Sequence, residues 1–67
     1  MTRYRLNSVI QRLREAKEMS QRDLARAARV TQGYIAQLEV GEKKNPSLDV
    51  LRRLARALSV PVTELLE

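Results

Sequence analysis

Residues 20–41 read Ser20-Gln-Arg-Asp-Leu-Ala-Arg-Ala-Ala-Arg-Val-Thr-Gln-Gly-Tyr-Ile-Ala-Gln-Leu-Glu-Val-Gly41. Two helices and the turn between them are written in this stretch. Ser20 offers a side-chain acceptor to the free N–H groups of a helix start, and Asp23 stands three residues on, the spacing of a reciprocal cap. Leu24, Ala25 and Ala28 then fall on one side of a helix. Thr31 is a second cap. Ile35 and Leu38 form the inner face of the helix that follows, and Gly41 stops it. Neither helix is long enough to be stable alone. They must therefore share a core, and Ala25 is small where a second helix would press. The connection Arg29-Val30-Thr31 is short, which forces a steep crossing of the helix-turn-helix kind.

The same spacing extends on both sides. Leu6, Val9, Ile10 and Leu13 predict a preceding helix that ends near Lys17 or Glu18, with Arg12, Arg14 and Lys17 away from its apolar stripe. Gly41 to Pro46 is a polar loop, because Pro46 disfavours helix at Asn45. Ser47 is a good cap for a fourth helix carrying Leu48, Leu51, Leu54, Ala55 and Leu58, with Arg52, Arg53 and Arg56 outside. Asp49 lies in its first turn, where the helix dipole favours an acid, and stands one turn from Arg53. Pro61 fits the first position of a fifth helix holding Val62, Leu65 and Leu66. No segment alternates, so no strand is expected. The fold class is all-α: five short helices in one domain spanning residues 1–67.

Composition narrows the function. The 67 residues suffice for one small core, and dimerisation would help to stabilise it. Absence of Cys and His excludes zinc fingers, cysteine nucleophiles and histidine bases. There is no glycine-rich phosphate loop and no carboxylate pair at a plausible spacing, so no enzyme, cofactor or metal is expected. Thirteen basic residues against eight acidic ones give a net charge of +5 and point to a polyanionic partner. The basic end comes first: Arg3, Arg5, Arg12 and Arg14 all precede the first acid, Glu15. Tyr4 and Tyr34 are the only aromatics, which disfavours RNA binding by base stacking. No apolar run approaches a membrane span, and a cytoplasmic protein is the expectation.

Rotating residues 32–40 at about 100° per residue places Gly33, Ala36, Gln37 and Val40 opposite Ile35 and Leu38, with Gln32 at the edge. This outer face carries no charge. Small residues let a helix enter a groove closely. Glutamine can pair in two places with adenine, and Ala36 and Val40 suit thymine methyls.

The whole run 20–41 resembles the lambda-repressor-like family, also called Cro/CI or Xre type. The match continues through Asn45-Pro-Ser-Leu48 and Leu54-Ala-Arg-Ala-Leu-Ser-Val-Pro61 to Glu64-Leu-Leu66, nearly the full chain. The resemblance implies a compact five-helix bundle with its helix-turn-helix at about 21–40 and the third helix in the major groove of double-stranded DNA. By the same resemblance Gln32, Gly33 and Gln37 match base-reading positions, and Gln21 and Tyr34 match positions that touch the DNA backbone. Lys43, Lys44 and Asn45 match a loop that runs along phosphates. Arg14 and Glu39 match a structural ion pair. Glu18, Arg29 and Ser59 stand where the family usually has glycine, and a left-handed Arg29 would carry about 1–2 kcal/mol of strain.

A domain this small covers little DNA, so a homodimer on a palindromic operator is expected. Leu58, Val60, Val62 and Leu65 offer an apolar dimer surface, although the same four residues serve equally well as core. The other reading is an antitoxin-type or interaction module of the same fold whose fourth and fifth helices bind a partner protein. Met1 and the complete five-helix pattern favour a whole small regulator over the head of a longer repressor.

Overall fold

The computed structural model describes residues 5–43 and 45–66. Five helices follow in order: α1 Arg5–Ala16, α2 Gln21–Ala28, α3 Gln32–Glu39, α4 Leu48–Leu58 and α5 Thr63–Leu66. Helix α2 packs on α3 and on α4; α1 packs on α3 and α5, and α4 also meets α5. Ile10, Leu24, Ala28, Ile35, Leu38 and Leu54 have no exposed surface. They come from four different helices, so none of the short helices stands without the others. No described helix is long and apolar enough to cross a membrane.

The helix starts follow the side chains expected of them. Ser20 Oγ accepts from the Asp23 N–H at 2.9 Å, and Asp23 Oδ2 accepts from the Ser20 N–H at 2.9 Å. Those bonds, the backbone one foremost, hold the Asp23 carboxyl below its ordinary range. Thr31 Oγ1 accepts from Tyr34 N–H, and Ser47 Oγ from Val50 N–H, each at 3.1 Å.

The helix ends share one device. Glu18, Arg29, Gly41 and Ser59 have positive φ angles of 57°, 62°, 86° and 60°. Each donates its N–H three residues back, and the residue after it donates five residues back: Met19 to Arg14, Val30 to Ala25, Glu42 to Gln37 and Val60 to Ala55. These are Schellman turns, which satisfy carbonyls that a helix end leaves free. Met19, Val30 and Val60 also pack against the core, as the apolar residue of such a turn does. Glu42 is the exception and stays exposed. The three glycine departures noted in the sequence are thus the three non-glycine left-handed residues among the described ones, Arg29 included.

Two expectations are corrected. Pro61 is not the first residue of α5, which begins at Thr63; its carbonyl instead accepts from Glu64 N–H at 2.9 Å in the turn that leads in. Leu58 and Leu65 belong to the core and not to the exposed surface. They are 2% and 6% exposed, because α4 and α5 turn them toward the core. Val60 and Val62 are half-buried, and the exposed apolar side chain at that end is Leu66.

Candidate nucleic-acid interface

Helix α3 is held from behind and bare in front. Ile35 and Leu38 are fully buried. Gln32, Gly33, Gln37 and Val40 are exposed, and Tyr34 and Ala36 are half-buried. Val40, the residue after α3, is 69% exposed, the most exposed large apolar side chain among the described residues. The only charged residue of α3, Glu39, is buried. Every exposed residue of α3 is therefore uncharged, as its spacing predicts.

Gly33 is not required by the fold. A Cβ built there meets nothing within 4 Å, and its φ is not in the left-handed range. Glycine inside a helix costs about 1 kcal/mol relative to alanine. No contact within the described chain offsets that cost.

The pair Arg14 and Glu39 is brought together as the resemblance implies, in a larger network than a pair. Arg14 Nε donates to Glu39 Oε2 at 2.7 Å and Nη2 to Oε1 at 3.1 Å, a two-pronged contact. The side chains are 11% and 4% exposed. Arg14 Nη1 donates to the Met19 carbonyl at 2.7 Å. Hydrogen bonding to Glu39 pushes the Arg14 guanidinium above its ordinary range, against the opposing effect of burial. Gln21 completes the network: its Nε2 donates to Glu39 Oε1 at 3.0 Å. The Arg14–Glu39 pair thus ties α1, the α1–α2 turn and the first residue of α2 to the last residue of α3.

Gln21 is consequently half-buried and already partnered rather than a free surface amide. Lys43 and Asn45 are exposed on the loop after α3, and Lys44 lies outside the described residues. Lys43 N–H shares the Gln37 carbonyl with Glu42 N–H, which fixes where the loop departs from α3. On α4, Arg52 and Arg56 are exposed, whereas Arg53 reaches the Arg29 carbonyl at 3.5 Å and Asp49 Oδ2 at 3.4 Å.

This arrangement has counterparts. Residues 10–65 match the family described as helix-turn-helix. The chain belongs to that family, and within it to the lambda-repressor-like type. It is 36% identical over 58 residues to the HTH-type transcriptional regulator DdrOP3 of Deinococcus deserti, covering 87% of this chain and 44% of that protein. This helix-turn-helix chain therefore spans less than half the length of that relative. Two solved structures are similar throughout. The restriction-modification controller protein C.AhdI from Aeromonas hydrophila superposes with a TM-score of 0.87 at 32% identity, covering 94% of each chain. The clp gene regulator ClgR from Corynebacterium glutamicum gives 0.84 at 33% identity, covering 98% of this chain and 84% of that one.

Sequence reasoning missed one member of the helix-turn-helix support. Asn7 Nδ2 donates to the Glu39 carbonyl at 3.2 Å, so α1 caps a carbonyl at the end of α3. A polar residue beside the apolar stripe of the first helix was the available signal. Its partner lies 32 residues away, and no local pattern names it.

Proposed function

We propose that this chain is a sequence-specific double-stranded DNA-binding protein and a transcriptional regulator of repressor type. It reads the major groove with α3 and binds a palindromic operator as a homodimer. The observation that carries this reading is the uncharged exposed face of α3 in a chain of net charge +5. Ordinary solvated faces of such a chain would carry charge. Gly33 adds to it, because a glycine that the fold does not require suits a surface that another molecule must approach closely. The family and the regulators among its relatives support the same reading. Gln32 and Gln37 read bases, Lys43, Lys44 and Asn45 follow phosphates, and Val60, Val62 and Leu66 are what remains for a dimer contact at the α4–α5 end.

Selection of bound sequences from random DNA tests the proposal. A palindrome with half-sites about one helical turn apart is the expected result. No enrichment would overturn DNA reading and leave partner binding through α4 and α5 as the function. Two variants then separate base reading from phosphate contact. Gln37→Ala is expected to lose about 1–3 kcal/mol of discrimination between the selected site and unrelated duplex. An unchanged ratio would remove Gln37 from the reading face. Lys43→Ala is expected to weaken all duplexes alike and to lower the slope of log affinity against log salt by about 1. An unchanged slope would place Lys43 off the phosphates.

A further inference from the structure

We infer that Glu39 is a positioning residue for a phosphate contact made by Gln21, and that Arg14 makes this role tolerable beside DNA. The inference rests on the DNA-binding reading above. A carboxylate only accepts hydrogen bonds, so the amide face that meets Glu39 must be the nitrogen and not the oxygen. The 3.0 Å contact from Gln21 Nε2 to Glu39 Oε1 therefore fixes which way the amide points. An amide nitrogen carries two hydrogens. One goes to Glu39, and the second remains for another acceptor. A DNA phosphate is also acceptor-only, so the same nitrogen bridges carboxylate and phosphate.

A bare carboxylate near a phosphate would repel it. Arg14 grips both oxygens of Glu39, at 2.7 and 3.1 Å, and cancels that charge. The network thus presents a neutral, oriented donor at the start of α2, and the same carboxylate is fixed to the end of α3. Register on the backbone and register of the reading helix are set by one group.

The test is a double-mutant cycle on the selected site and an unrelated duplex of equal length. Gln21→Ala is expected to weaken both by about three- to tenfold per bound copy, the size of one hydrogen bond. The salt slope and the site-to-unrelated ratio should not move, because the lost contact is neutral and reads no base. Arg14→Met with Glu39→Leu removes the anchor without changing net charge and replaces a buried pair with apolar side chains that keep such folds intact. That double variant is expected to lose the same factor. Adding Gln21→Ala to it should then cost nothing more. Equal losses in both backgrounds, or wild-type affinity in the double variant, would overturn the inference. If the double variant does not fold, the side-chain amide resonances of Gln21 in the wild-type protein decide. Addition of the selected duplex should shift the amide proton not bonded to Glu39, and two unmoved protons would overturn it. Absence of any DNA binding by the wild-type chain is a different result and defeats the underlying reading instead.

Discussion

Glu39→Ala is expected to lower stability by about 3–5 kcal/mol, the cost of leaving one member of a buried ion pair alone. Arg14 keeps some access to solvent, at 11% exposure, which favours the lower end. Even that is severe here. A domain of this length has about 3–10 kcal/mol in total. The variant should therefore melt more than about 10 °C below the wild-type protein, and circular dichroism melting is the measurement. The loss has several parts. Arg14 is left charged and without Glu39, Gln21 loses its acceptor, and Asn7 is left as the side-chain hydrogen bond between α1 and α3 among the described residues. The combination Arg14→Met with Glu39→Leu should recover most of the loss. It does not recover all, because the Met19 carbonyl also loses its donor at 2.7 Å. A melting temperature within a few degrees of wild type for Glu39→Ala would show that core packing alone holds α3 in place.

The combined variant Glu18→Gly, Arg29→Gly and Ser59→Gly is expected to move in the other direction. A left-handed residue with a Cβ carries about 1–2 kcal/mol of strain, and glycine removes it while losing about 0.4–1 kcal/mol through a more flexible unfolded chain. The net gain is about 0.5–1 kcal/mol per site. The three turns close three different helices and share no backbone hydrogen bond, so the gains should add to about 2 kcal/mol. That corresponds to a rise in melting temperature on the order of 10 °C for a domain of this size. The weak 3.4 Å contact of Lys17 Nζ with Ser59 Oγ is lost in the exchange and is exposed, so it subtracts little. The backbone carbonyl of Arg29, which receives Arg53, is retained. A lowered melting temperature would mean that these side chains make stabilising contacts large enough to exceed the strain.

Much of this was legible in the chain itself. Ser20, Thr31 and Ser47 act through bonds to backbone three residues away, and such local chemistry can be read directly. The inner and outer faces of α3 follow from helical period alone. The left-handed turns were visible only as departures from a family pattern, since nothing in Glu18, Arg29 or Ser59 announces a positive φ. The burial of Leu58 and Leu65 was not legible. An apolar residue near a chain end fits a core and an interface equally well, and only the fold decides. Nothing local in the sequence ties Gln21 to Glu39, which is 18 residues distant. Long-range polar partners leave no periodic trace.

Gly33 has a consequence for how this domain can change. At most positions a substitution must satisfy folding first and recognition second. Position 33 is released from the first demand: no neighbour of the described chain is met there, and nearly any other side chain raises helix propensity. Variants at this one residue can therefore be compared by what they prefer to bind, with little correction for how well they fold. It is the natural starting position for redirecting the domain to a different target.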